Sequence, residues 1–188
     1  IHCGLVGSEM CIRDSSYETI QHKKVCDEYE ICLAIPGGKK YYVWHTFHKN
    51  LDVIYLLELN KQKEVVKGTC ISNNGNQFYS MGTILYGTLL EDKDVFILED
   101  IYYYQGVPLK ELLSSDKMYV LKEFVEKNQD IKYNKKHISF YLPNIWKNQQ
   151  KEITNKISKD VSSIIHYEVH HIQYRSLNKK LPFINVPI

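Results

Sequence analysis

Aromatic side chains that could bind a base occur in two parts of the chain, and the first part also contains a pair of lysines. Trp44 follows the lysine pair that ends the stretch 36–40, and Phe96 lies shortly before the tyrosines 102–104. Aromatic rings can stack on nucleic-acid bases, each contact contributing about 1–3 kcal/mol. These residues and Phe47 are therefore candidates for holding a base. The alternative is that some are core residues, which we expect first for Phe96 and Tyr103 because alternate side chains of a strand are usually buried.

The histidines raise the question of a metal site. His45 and His48 are spaced as H-x-x-H, and His166, His170 and His171 cluster later in the chain. Three imidazoles can hold zinc. However, adjacent residues of a strand point to opposite faces, and no H-E-x-x-H pattern supplies a carboxylate. We therefore expect no metal site, and surface or hydrogen-bonded histidines instead.

The composition is that of one compact domain. The chain has 188 residues, 44% of them hydrophobic, and its 24 Lys and Arg against 22 Asp and Glu give a net charge of +2. Disordered, collagen-like and coiled-coil classes are excluded, and no apolar run of about 18 residues occurs that could span a membrane. Because the net charge is small, any nucleic-acid contact must use a local basic face.

The first residues do not resemble the start of a protein. Residues 3–15, CGLVGSEMCIRDS, have neither helical nor strand periodicity and are similar to a translated sequencing-adapter remnant. We therefore expect residues 1–15 to be non-native and 16–188 to form a single domain whose native N-terminus is missing, with the C-terminus left open. Lys, Asn, Ile and Tyr are prominent, as in proteins of AT-rich genomes such as those of large DNA viruses.

The cysteines point to a reducing compartment. Outside residues 1–15 only Cys26, Cys32 and Cys70 remain, an odd number without a C-x-x-C pair. This pattern favours free thiols over a disulfide framework. We expect an intracellular location, in the cytoplasm or a viral factory.

The apolar pattern predicts strands first and helices later. An opening hairpin is predicted from 31–35 and 41–44 around the turn 36–38. Further strands are predicted at 51–59, 64–71, 83–90, 95–103, 138–142 and 167–174, and amphipathic helices at 109–127 and 145–165. The predicted fold is therefore α+β, a mostly antiparallel sheet with packed helices.

The most specific pattern lies between residues 83 and 109. TILYGTLLE, a charged turn, FILEDIYYYQGVPL and the predicted helix resemble the middle of the covalent nucleotidyltransferase superfamily, which contains mRNA capping guanylyltransferases and polynucleotide ligases. That family has a strand close to T-L-L-D-G-E-L, a strand containing [FY]-D-hydrophobic, an N-G turn and a helix. The matching positions are Thr83, Leu85, Gly87, Leu89, Phe96, Asp100, Ile101, Gly106 and Leu109. The resemblance implies the fold of that family.

The residues that catalysis needs in this family are missing. Tyr86 and Thr88 replace the acidic pair around the glycine, so the carboxylate that would hold a sugar or a divalent metal is absent. No K-x-D-G-x-R motif supplies the nucleophilic lysine. Possible substitutes without Asp-Gly neighbours are Lys39, Lys40 and Lys49. The resemblance therefore implies a pseudoenzyme without a cofactor, and Mg²⁺ or Mn²⁺ would be needed only by an active enzyme.

A parallel is the cap-binding domain of the snurportin family, which resembles guanylyltransferase, lacks the nucleophile and binds capped RNA by stacking. Its Pro-x-Gly-Lys and Gly-His-Pro segments are similar to residues 36–40 and 106–108. Lys179 and Lys180 stand in for the phosphate-binding K-x-K lysines of the superfamily. The resemblance implies a nucleotide or RNA site formed by Lys39, Lys40, Trp44, His45, Phe96, Asp100, Lys179 and Lys180.

The sequence thus predicts a non-catalytic, capping-enzyme-like domain that binds a purine nucleotide or an RNA 5′ end and does not contact a membrane. A protein partner is left open. Two alternatives also stay open: an active guanylyltransferase or ligase that uses an unorthodox lysine, and a structural subunit that binds no ligand.

Overall fold

Strands dominate the computed structural model, which describes residues 25–72, 79–127, 130–133, 136–148 and 166–188. The strands are β1 Ile31–Pro36, β2 Lys39–His48, β3 Leu51–Leu59, β4 Val65–Ser72, β5 Thr83–Leu90, β6 Val95–Tyr104, β7 Val107–Pro108, β8 Asp130–Tyr133, β9 Lys136–Tyr141, β10 Ile145–Lys147, β11 Val169–Arg175 and β12 Ile184–Pro187. The helix is α1, Ser114–Lys127.

The strands form two sheets. The larger sheet has the order β4-β3-β2-β5-β6-β9-β8, with β7 paired to β6, and it curls into a half-barrel. The smaller sheet has the order β10-β1-β11-β12. The pairing of β6 with β9 is parallel, whereas the other paired strands run antiparallel.

The two faces of the larger sheet differ in chemistry, and β2 contributes to both. Tyr41 and Val43 belong to the main hydrophobic core, and the face that carries them is here called the core face. Lys40, Tyr42 and Trp44 point the other way, because successive residues of a strand alternate. Their face is called the cleft face.

Different elements cover the two faces. Leu121 and Phe124 of α1 are fully buried against the core face, where burial of each such side chain contributes about 1.5–3 kcal/mol. The smaller sheet packs on part of the cleft face, with Ala34 and Ile172 in one cluster with Ile97 of β6. The region where the cleft face meets the smaller sheet is called the inter-sheet cleft.

The prediction of an α+β fold with packed helices, and with it the nucleotidyltransferase-like architecture, is wrong. The described residues are mostly strand and contain one helix, which begins at Ser114 and not at residue 109. The predicted second helix, 145–165, begins as β10, because Ile145–Lys147 pairs with β1. The rest of that predicted helix, from residue 149, lies outside the described residues.

The predicted opening hairpin is also wrong, because its two strands belong to different sheets. β1 pairs with β10 and β11, whereas β2 pairs with β3 and β5. The link is a crossover in which Gly38 has φ +143°, and a Cβ atom there would lie 2.8 Å from Cγ2 of Thr88. Glycine fits both requirements.

Several other strand predictions are confirmed. The segments 51–59, 83–90 and 95–103 are strands, and the last two pair as predicted across the charged turn. The predicted turn at 73–76 lies outside the described residues. No helix in the described ranges is long and apolar enough to cross a membrane.

Candidate functional site

A β-bulge in β6 presents Glu99 to the cleft. Tyr86 pairs with Asp100 and Gly87 pairs with Leu98, which leaves Glu99 as an extra residue without an opposite partner. Bulges of this kind change the direction of a side chain and are common beside functional sites. The bulge explains how a carboxylate enters the middle of a strand made mainly of apolar residues.

The bulged region depends on Gly87. A Cβ atom at Gly87 would lie 2.0 Å from the carbonyl oxygen of Ile97 and 2.7 Å from the ring of Phe96. A second bulge, between Ile84 and Leu85, leaves Tyr102 as another extra residue. β5 and β6 therefore approach too closely at Gly87 for any side chain.

Lys40 and Glu99 form a partly buried ion pair in the inter-sheet cleft. Nζ of Lys40 lies 2.6 Å from Oε1 of Glu99 and donates a 2.5 Å hydrogen bond to Oγ1 of Thr88. The Thr88 hydroxyl also donates to Glu99. The Glu99 side chain is only 5% exposed and that of Lys40 is 26% exposed. Each of these three side chains therefore contacts the other two.

Two more titratable side chains face this ion pair. Lys63 is half-buried, with Nζ 5.8 Å from the ring centre of Tyr86. Burial lowers the pKa of Lys63, Glu99 opposes this shift, and Lys40 adds to it. Burial, helped by Lys40, also lowers the pKa of His171 to about 4. The His171 imidazole is therefore neutral at physiological pH.

Arg175 of β11 connects the smaller sheet to the bulge. Its guanidinium is buried and donates from Nη2 to the backbone oxygen of Glu99 at 2.7 Å. Nε donates to Oε1 of Gln173 at 2.9 Å, and the group lies over the ring of Phe183, 4.2 Å from its centre. Arg175 thus links β6 to the part of the smaller sheet that contains β11 and β12.

The cleft carries more positive than negative charge. Lys117 of α1 lies 3.5 Å from Oδ1 of Asp100 and 5.7 Å from the ring centre of Tyr102. In the described part of the cleft, four cationic side chains therefore face two carboxylates, an excess of two positive charges. The cations are Lys40, Lys63, Lys117 and Arg175, and the carboxylates are Glu99 and Asp100.

Aromatic rings continue from these charges along the cleft face. Tyr42, Tyr86 and Tyr102 are buried, with ring centres 5.7–6.2 Å apart. Burial is the main cause that raises the pKa of Tyr86 and of Tyr102, so both phenols stay neutral. Trp44 and Tyr55 form a partly exposed pair farther along, with ring centres 5.7 Å apart. Both rings also pack against the buried tyrosine cluster.

The structure brings together only part of the site predicted from the sequence. Lys40, Trp44 and Asp100 belong to the cleft side of the larger sheet. Lys39 points to the core-face side, where its Nζ lies 3.2 Å from Oε1 of Glu58. There it lines a groove of about 450 Å³ with residues of β2 to β5. Lys39 and Lys40 are therefore adjacent in sequence but lie on opposite faces.

His45 and Phe96 are core residues in the structure. His45 is 3% exposed and makes edge contacts with the rings of Tyr79 and Phe124. Burial lowers the pKa of His45 to about 4, and neither ring nitrogen has a hydrogen-bond partner in the described residues. Phe96 is fully buried and packs edge-on against Phe140.

The two C-terminal lysines lie away from the cleft. Lys179 forms a surface ion pair with Glu28 at 2.5 Å, and Lys180 pairs with Glu111. Sequence reasoning instead missed cleft residues whose partners are distant in sequence. The residues it missed are Lys63, Glu99, Lys117 and Arg175, and it considered His171 only as a possible metal ligand.

No metal centre is evident where side chains are described: no group of three or more His, Cys, Asp or Glu side chains could hold an ion there. His170 and His171 do meet, with their Nδ1 atoms 2.9 Å apart. The arrangement of the cleft suits an anion beside a planar group, because charged donors and aromatic rings are adjacent.

The comparison with known proteins gives no family assignment. No protein-family model matches the chain, and no curated protein matches its sequence.

Proposed function

We propose that the chain is a non-catalytic binding module for a purine nucleotide or an RNA 5′ end, and that the ligand lies along the inter-sheet cleft. One observation carries the proposal. The described part of the cleft holds an excess of two positive charges, next to aromatic rings. Phosphates are the anions that lysines commonly bind, and bases are the planar groups that aromatic rings stack on.

The spacing along β2 fits such a ligand. Lys40 and Trp44 are four residues apart on the same face, roughly 13 Å at the usual rise of a strand. An extended nucleoside triphosphate can contact both positions. The phosphates would meet Lys40 and Lys63, and the base would stack on the pair formed by Trp44 and Tyr55.

The surroundings of Lys40 favour reversible binding over catalysis. Its Nζ is already engaged by Thr88 and Glu99. In addition, the residues that follow it are Tyr41 and Tyr42, so no Asp-Gly pair is next to it. An amine held in an ion pair is a poor nucleophile, because attack requires its neutral form.

The test is titration of the full chain with GTP, ATP, a cap analogue and a short 5′-triphosphate RNA. We expect saturable binding that weakens with salt. Trp44→Leu should lower the affinity by about 1–3 kcal/mol, as loss of one stacking contact does. Phe47→Leu is the matched control, because Phe47 is an exposed ring on the other face of the same strand.

A charge variant tests the phosphate end. Lys63→Gln should weaken binding and reduce its salt dependence, since one cation near the phosphates is lost. Lys61→Gln is the control, because Lys61 is an exposed lysine in the same connection between β3 and β4. Equal losses in the two variants would contradict a specific site at Lys63.

The same samples distinguish the alternatives. Incubation with α-labelled GTP or ATP and Mn²⁺, followed by a denaturing gel, should give no labelled band. A covalent band would overturn the non-catalytic assignment in favour of a nucleotidyltransferase. Failure of every ligand to bind would overturn the proposal and leave a structural role.

A further inference from the structure

A β-bulge in β11 changes the direction of two adjacent histidines. Ile35 pairs with His171 and Pro36 pairs with Val169, which leaves His170 as an extra residue without an opposite partner. Regular alternation would place adjacent side chains on opposite faces of the strand. A bulge interrupts that alternation, so the side chains of His170 and His171 can meet.

The two imidazoles contact each other through the same kind of nitrogen. Their Nδ1 atoms lie 2.9 Å apart, and the ring planes are inclined at 85° with the ring centres 5.2 Å apart. His170 is exposed, whereas Nε2 of His171 is buried. The nitrogens that can share a ligand at the surface are therefore the two Nδ1 atoms.

The distance between these nitrogens matches that of two neighbouring ligands on one metal ion. Metal–nitrogen bonds of about 2.0–2.1 Å that meet at a right angle separate the two nitrogens by about 2.9 Å. Right angles are typical of the square-planar or tetragonal sites of Cu²⁺ and Ni²⁺. A tetrahedral ion such as Zn²⁺ requires a larger separation of about 3.3 Å.

We propose that His170 and His171 form an open, two-nitrogen site for a divalent transition-metal ion, with Cu²⁺ preferred to Ni²⁺. Without metal, the Nδ1–H of one imidazole donates to the Nδ1 of the other. When the metal binds, both imidazoles carry their proton on Nε2 and both Nδ1 atoms become ligands. Water completes the coordination. This inference does not depend on nucleotide binding.

The surroundings restrict the site to metals that prefer nitrogen ligands. Among the described residues, no carboxylate or thiol joins the two histidines as a third ligand, and Mg²⁺ and Ca²⁺ require oxygen ligands. Lys40 disfavours positive charge at His171, and Glu99 partly offsets this effect. Because Cu²⁺ binds nitrogen ligands most tightly among the divalent ions of its series, we expect it to bind against this field.

The experiment is a titration of the full chain with Cu²⁺ at neutral pH, followed by visible absorption and electron paramagnetic resonance. His170→Gln and His171→Gln each remove one nitrogen ligand. His166→Gln is the matched control, because His166 is an exposed histidine that precedes β11. Other copper-binding groups, such as the terminal amine with His2, are the same in all these proteins.

We expect one copper equivalent, with a tetragonal spectrum coupled to nitrogen, that the control variant retains. In His170→Gln and in His171→Gln its affinity should fall by about tenfold or more, since even changes beyond the ligands cost that much. Excess Mg²⁺ should not displace the copper. Circular dichroism of His170→Gln should be unchanged, because His170 is exposed. Equal copper binding by the original chain and His170→Gln, or an equal loss in His166→Gln, would overturn the proposal.

Discussion

The two faces of the larger sheet differ in the neighbours that surround His45 on one side and the Lys40–Glu99 pair on the other. On the core face, His45 lies among aromatic rings without a hydrogen-bond partner in the described residues, and burial lowers its pKa to about 4. On the cleft face, Nζ of Lys40 and Oε1 of Glu99 instead lie 2.6 Å apart and form an ion pair. His45 is thus kept neutral by burial, whereas Lys40 and Glu99 contact each other in a cleft where burial also lowers the pKa of the neighbouring His171.

The difference has a structural origin in β6. On the core face, Phe96, Leu98 and Ile101 of β6 belong to the main apolar cluster. The cleft face receives the extra residues of two bulges, Glu99 and Tyr102. β6 therefore contributes apolar side chains to the core face, and it contributes Glu99 and Tyr102 to the cleft face.

The largest effect should come from Gly87→Ala. Its Cβ would lie 2.0 Å from the backbone oxygen of Ile97, a contact that the chain can relieve only by separating β5 from β6. We expect a loss of about 4 kcal/mol or more in the free energy of unfolding, or failure to fold. Chemical denaturation measures it.

Gly37→Ala is the matched control for that change. A Cβ at Gly37 would have its closest contact at 3.9 Å, which is ordinary van der Waals distance. Similar losses in the two variants would show that the strand approach at Gly87 is not what holds the cleft in place.

The second-largest effect tests whether the cost of removing the Lys40 charge depends on the presence of Glu99. Lys40→Met leaves the 5%-exposed Glu99 side chain without its cation and should cost about 3 kcal/mol. The double variant Lys40→Met, Glu99→Met removes both charges and should recover most of that loss. Urea denaturation of the two variants measures the coupling, and additive losses would argue against a buried pair.

The third effect belongs to the core face and depends on pH. The folded pKa of His45 is about 4, whereas an unfolded histidine titrates near 6.5, so the unfolded chain binds the proton more readily between these values. Stability is complete above the unfolded pKa and declines as the pH falls toward 4. From about pH 7 to pH 5, His45 alone should cost about 2 kcal/mol. His171, whose pKa is also about 4, acts in the same direction.

His45→Leu separates the two histidines. The variant removes a titrating group with two unpartnered nitrogens, so the loss of stability on acidification should shrink while stability at neutral pH is kept or raised. His48→Gln, at a partly exposed position of the same strand, should keep the original acid dependence. An unchanged acid dependence in His45→Leu would assign the effect to other groups.

Local pattern was sufficient to predict the central strands of the molecule. The runs that became β3, β5 and β6 are apolar and β-branched, and the charged turn after Leu90 correctly indicated a hairpin. The partner of β1 could not be predicted in this way. Its apolar residues fit any sheet, and its partners β10 and β11 lie more than a hundred residues away.

The site shows the same limit. Lys40 and Trp44 were predicted from the family resemblance and from the stacking ability of the indole, and they share a face because they alternate with buried residues on β2. Glu99 required knowledge of a bulge, and Lys63 required the turn that begins at Asn60. Pattern places a residue on an element, but only the pairing of elements decides which side chains meet.

The smallest effect should come from Lys179, a predicted phosphate ligand that the structure pairs with Glu28 at the surface. Both side chains are more than half exposed, and exposed pairs contribute little to stability because solvent screens them. Lys179→Gln should therefore leave the denaturation midpoint unchanged. It should also leave nucleotide affinity unchanged, in contrast to Lys63→Gln, since its ammonium does not face the cleft. A loss of affinity equal to that of Lys63→Gln would extend the binding surface to the C-terminal segment and would remove the distinction between the cleft and the rest of the surface.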